Sequence, residues 1–196
     1  LQASKKTEKI KLKNPVLSII LFIVSIILLA GAYYLDGDHL SGDWATDIKS
    51  IGNFAFSQCR LMSGELQLGS SLTYMGEYCF NLCSALTSAN LQFCNSLGNL
   101  PKGVFSGCTS LVRVDLPVQI NTIQDNAFRG CTQLMVVNLT QKGAKLRLGD
   151  NAFYGCERLA TFTNDPTLIS IGISCFSFDS SLLNKLWEPK YGLKNI

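Results

Sequence analysis

At 196 residues, with 47% apolar and 16% charged side chains, the chain can hold one folded domain and an accessory segment. Its formal net charge is +3, but Lys5, Lys6, Lys9, Lys11 and Lys13 against Glu8 give residues 1–14 a local +4 and leave −1 for the remainder. A basic, nucleic-acid-seeking domain is thereby excluded, and nucleic acid is not an expected partner.

The basic tail, residues 1–14, leads into residues 15–35, where Val16 to Leu35 carry no charge at all. As a helix, twenty such residues span about 30 Å, the thickness of a bilayer core, so a single transmembrane helix is expected and the lipid bilayer is an expected partner. A secretory signal peptide is the competing reading, because the basic start, the apolar run and Ala30-Gly31-Ala32 fit that grammar too. The chain begins at Leu1 rather than methionine, which places any trimming upstream and leaves the helix expected as retained. Lysines before the run, with Asp36, Asp38, Asp43 and Asp47 after it, orient the amino end to the cytoplasmic, stromal or matrix side. The rest of the chain then lies on the opposite, lumenal, intermembrane or extracellular side. Tyr33 and Tyr34 fall where an interfacial aromatic belt belongs. Ser18, Ser25 and Ala32 are seven apart and share one helix face, where small side chains would admit a neighbouring helix of another membrane subunit; chance alignment is the equal alternative.

Residues 36–47 read as a polar linker. It holds the only histidine, His39, which stands beside Asp36 and Asp38 with no fourth ligand at a useful spacing and reads as solvated loop rather than metal site.

Residues 48–187 are organised by one recurring phrase, clearest as NAFRGCTQL from Asn126 and NAFYGCERL from Asn151. Aligned on phenylalanine it recurs at Phe56, Phe80, Phe105, Phe128, Phe153 and Phe176, in steps of 24, 25, 23, 25 and 23 residues. That period marks a solenoid. Three residues on stand Cys59, Cys83, Cys108, Cys131 and Cys156, replaced by Asp179 in the sixth copy; six on stand Met62, Leu86, Leu111, Leu134, Leu159 and Leu182. Five before stand Ile51, Met75, Leu100, Ile123, Leu148 and Ile171. Slots that recur once per coil stack on one another, since a coil packs only against its neighbours and cannot bury its apolar side chains alone. After the cysteine the pattern Leu-x-x-apolar-x-Leu, as in Leu111, Val114 and Leu116, reads as a short strand with one buried face.

The irregularities lie in the first repeat, a residue out of register after Cys59, and in Gln92 to Gly98, which holds an unmatched Cys94. Thr140 to Ala144 reads as a loop, and Pro101, Pro117 and Pro166 sit between repeats, where a missing amide is tolerated. Residues 188–196, after Trp187, read as a carboxyl-terminal tail or cap.

The spacing resembles the leucine-rich repeat, and the Ile-Gly-x-x-x-Phe-x-x-Cys-x-x-Leu form resembles its BspA-like class over about residues 48–187. The resemblance implies a parallel sheet on one face of the solenoid, turns and short helices on the other, and no catalytic motif. It also implies, as one possible role, a surface receptor or adhesin.

Five of the eight cysteines share one slot, and Cys79 and Cys175 share another with Ala55, Val104, Ala127 and Ala152. Both therefore read as slots for small buried side chains, with no disulfide or metal framework expected. Asp115, Asp125 and Asp150 are scattered rather than paired, and the glycines four before each phenylalanine belong to turns, not to a phosphate loop. Neither an enzymatic role nor a cofactor is expected. What remains is surface. The position before the last strand residue reads Gln67, Asn90, Asp115, Asn138 and Thr163, a polar stripe about 24 Å long at strand spacing and the candidate partner-binding row. Asn138-Leu139-Thr140 also spells a glycosylation sequon. Two functions survive: a non-enzymatic accessory subunit of a multi-protein membrane complex of photosynthetic or respiratory type, meeting other subunits through helix and repeats, or a membrane-anchored receptor.

Overall fold

A computed structural model describes residues 39–40, 48–141, 143–164 and 166–176. The chain divides into two compact units, Leu1–Leu35 and Asp36–Ile196, and every described residue belongs to the second. The basic tail, the apolar run with Ser18, Ser25 and Ala32, and the carboxyl-terminal cap lie outside the described residues. Among those described, no helix is long and apolar enough to cross a membrane.

The Leu-x-x-apolar-x-Leu segments form one parallel sheet of six strands. Its members are β1 (His39–Leu40), β3 (Gly64–Gln67), β5 (Leu86–Asn90), β7 (Arg113–Leu116), β9 (Val136–Leu139) and β11 (Thr161–Phe162), side by side in chain order. One expectation is corrected here. His39–Leu40 is not loop backbone but the first strand, paired with Glu65–Leu66, because a sheet edge offers unpaired amides and carbonyls to whatever chain arrives beside it. The first repeat's register slip appears as a shift between Gly64 and Glu65 opposite β5.

A second set of strands, which the sequence reading does not contain, is built by the apolar slot five before each phenylalanine. It comprises β2 (Ser50–Ile51) and β4 (Tyr74–Met75), then β6 (Asn99–Leu100), β8 (Thr122–Ile123), β10 (Lys145–Leu148) and β12 (Thr167–Ile171). All are parallel, but they fall into a pair, β2-β4, and a separate group of four, β6 to β12.

The phenylalanines sit on turns, and no helix occurs among the described residues, which corrects the expectation of short helices there. The cause is local. Two residues before and two after each phenylalanine the backbone turns left-handed: Phe54 and Gln58, Tyr78 and Leu82, Gly103 and Gly107, Asn126 and Gly130, Asn151 and Gly155. A right-handed helix cannot propagate through such residues. Instead the turn aims its amides along the solenoid axis, and Phe56, Phe80, Phe105, Phe128 and Phe153 donate to carbonyls of the next coil at 2.7–3.0 Å. Each coil is thus tied to its neighbour by the main sheet and by these turns, and everywhere but between β4 and β6 by the second ladder as well. The six phenylalanine rings stack as one buried column, with centroids 5.1–5.7 Å apart.

Candidate functional site

The register of the main sheet places the expected polar stripe in a single row, Gln67 beside Asn90, Asn90 beside Asp115, and Asp115 beside Asn138. Thr163 follows β11 and bonds to Asn138. The row is largely self-satisfied. Asn90 Oδ1 accepts the Gln92 amide at 3.2 Å, Asn138 Nδ2 donates to Asp115 Oδ1 at 2.6 Å, and the Leu139 amide donates to Thr163 Oγ1 at 2.9 Å. Arg113 Nε and Nη2 grip the Asp115 carboxylate at 2.6–3.0 Å. Burial of Asp115, 9% exposed, acts to raise its pKa, but the hydrogen bonds from Arg113 and Asn138 outweigh it and hold the carboxyl below its ordinary value. Asn138 is half-buried and bonded on both sides, so the sequon's acceptor is engaged within the sheet.

Just ahead of β7 and β9 the surface changes character. Val112 and Met135 are 40% and 41% exposed and adjacent through the Met135 amide to the Val112 carbonyl, with half-buried Val136 next in line. Exposed apolar side chains at the entrance to β7 and β9, beside Arg113, form the part of this surface that gains most from being covered. Sequence reading missed it because the signal is one of register, visible once Ser88, Arg113 and Val136 are aligned across strands.

The carboxylates and thiols are spent on structure. Asp125 Oδ1 accepts the Asp150 amide at 2.9 Å and Asp150 Oδ1 the Ile173 amide at 2.7 Å, each carboxylate tying one coil to the next. The cysteine slot does more than accommodate a small side chain: Cys83, Cys108, Cys131 and Cys156 donate their thiols to the carbonyls of Phe56, Phe80, Phe105 and Phe128 at 3.0–3.1 Å. Burial pushes Cys94 up to about 11, Cys108 and Cys175 up to about 12, and also raises Cys79, Cys83 and Cys131. Every cysteine is a free thiol, and among the described residues no group of three or more His, Cys, Asp or Glu side chains could hold a metal.

A second concave feature lies where the β4 and β6 strands fail to pair. The residue after this strand donates its amide to the preceding coil from Gly76, Gln124, Gly149 and Gly172, at 2.8–3.0 Å. In the third coil that residue is Pro101, which has no amide. Pro101 therefore does not sit harmlessly between repeats, as expected, but interrupts the ladder. The resulting cleft of ≈ 190 Å³ is bordered by Thr73, Tyr74 and Glu77 on one side and Leu97, Asn99 and Pro101 on the other.

Residues 41–147 and 137–189 match the BspA type leucine-rich repeat region family, in six copies. Three solved structures are similar: a leucine-rich cell surface protein of Faecalibacterium prausnitzii, a leucine-rich repeat protein of T. pallidum and one of Bacteroides ovatus. They are 26%, 25% and 20% identical, with TM-scores of 0.47, 0.41 and 0.38, over 69%, 75% and 68% of this chain. The match covers 31%, 78% and 57% of those chains, so this chain spans about a third of the Faecalibacterium protein. No curated protein matches it. With the matched residues running without a break from 41 to 189, the chain belongs to the BspA type leucine-rich repeat family.

Proposed function

We propose that the chain is a non-enzymatic recognition module, whose main-sheet face holds another protein while the apolar run at residues 16–35 anchors it in a bilayer. The observation that carries this reading is the exposed Val112–Met135 pair at the entrance to β7 and β9, with Val136 and the Arg113–Asp115 ion pair next in line on the strands. Apolar side chains at the centre with a polar rim are the anatomy of a protein interface. A Val112→Asp, Met135→Asp double variant tests it. Both side chains point outward, so the thermal midpoint is expected to stay within a few degrees while crosslinks from this face to a partner in native membranes disappear; crosslinks that persist would overturn the reading.

The setting is a membrane assembly in which the chain is an accessory subunit, and the Ser18, Ser25 and Ala32 face is its second contact. The alternative, a surface receptor or adhesin, is supported by family membership. Ser25→Leu separates them. A subunit loses its lateral helix partner, because close backbone approach is what small residues provide; a receptor needs the run only to stay in the bilayer and is unchanged.

A further inference from the structure

We infer that the break between β4 and β6 is a binding site for a single neutral pyranose ring, the terminal sugar of a glycan. The site lies where the second ladder is interrupted, with Pro101 at its edge. At Gly76, Gln124, Gly149 and Gly172 the residue after the strand ties its coil to the preceding one, and Pro101 has no amide to make that tie. The opening of ≈ 190 Å³ is smaller than the roughly 300 Å³ at which clefts for drug-sized ligands begin, and it suits a ligand of one ring.

Its lining has the two-sided character of a sugar, whose ring has an apolar C–H face and a rim of hydroxyls. The Tyr74 ring, 53% exposed, supplies a flat apolar wall, held by its hydroxyl's hydrogen bond to Asn53 Oδ1 at 3.3 Å. Leu97 and Pro101 supply the apolar surface of the other side. Glu77, Asn99 and Gln124 supply the rim. The Gln124 Oε1 accepts the Lys102 amide at 3.0 Å, which leaves its amide nitrogen to donate. Glu77 is the one ionised side chain in the lining, so an anionic ligand is repelled while paired hydroxyls find a strong acceptor. An added peptide strand fits less well: it needs a run of unpaired amides, and here β4 and β6 are two residues long and Pro101 contributes none.

The test uses the full chain in phosphocholine micelles, free of sugar detergents, with methyl glucopyranoside, galactopyranoside, mannopyranoside and N-acetylglucosaminide as probes. Saturation-transfer NMR should show transfer to the ring C–H protons of at least one of them. Tyr74→Ala should weaken that binding by about tenfold or more, the size of one lost ring-stacking contact, while Tyr74→Phe retains it. Pro101→Gly supplies a donor at the edge of the cleft and should weaken transfer. Absence of transfer from all four probes, or transfer undiminished in Tyr74→Ala, would overturn the assignment.

Discussion

At Cys131 the thiol is fully buried and donates to the Phe105 carbonyl, which the Cys108 amide already serves. Cys131→Ala removes one of two donors and a sulfur atom, and about 1–2 kcal/mol of destabilisation is expected. Phe128→Ala instead empties a ring stacked between two others, and about 3–5 kcal/mol is expected. Paired urea melts decide it, and equal losses would refute the slot assignment. Reactivity follows the same burial. A thiol reagent at pH 8 should modify Cys59, the half-buried member of the ladder, well before the others, and all eight cysteines only after denaturation. At Asp115 the native carboxyl is held below its ordinary value, so its contribution to stability is present above about pH 4, the unfolded value, and is lost as pH falls through the native one. The wild type should therefore lose more of its urea midpoint between pH 7 and pH 3 than Asp115→Asn does.

Among the elements, the turns carry two unlike demands for glycine. Gly130 needs its left-handed φ of 73°, and an added Cβ would meet nothing closer than 3.9 Å. Gly130→Ala should then cost about 1–2 kcal/mol, the backbone penalty alone. Gly149 has no such φ, but a Cβ there would lie 2.5 Å from the Asp125 amide nitrogen, so Gly149→Ala must push two coils apart and should cost more. Thermal melts of the two variants rank them. These demands also mark what could be read from the sequence. The phenylalanine, cysteine and leucine slots were legible because each repeats one side-chain chemistry at one period, and the polar row because all its members but Gln67 stand four residues after a buried leucine. The second ladder was not, because strands of two residues are too short to show alternation. The left-handed turn positions were only partly visible: Gly103, Asn126 and Asn151 are residues that favour the conformation, whereas Phe54, Tyr78 and Ser174 in the same slot take it because the stack imposes it. Bulky residues there run against local preference. His39–Leu40 was read as linker for a related reason: its strand is induced by the edge of β3, not by its own sequence.

The coils of the described residues form a one-dimensional stack whose stability grows by coils and by the interfaces between them. Removing residues 126–150 joins Asp125 to Asn151 and brings Phe105 against Phe153, reproducing each slot one coil shorter. The shortened chain should still unfold in one cooperative step, at a lower temperature, as circular dichroism can show; a broad transition would mean the coils are not interchangeable.

The stack is also a series of links, and they are not equally strong. Between the second and third coils the main sheet and the turn amides hold, but the third tie is missing at Pro101. A chain pulled from its two ends carries the same tension through every link and parts first at the one with fewest bonds. In an optical trap the solenoid should therefore yield in two steps, the first opening at Pro101 and leaving coils three to six intact, so that a single imino acid acts as a mechanical fuse.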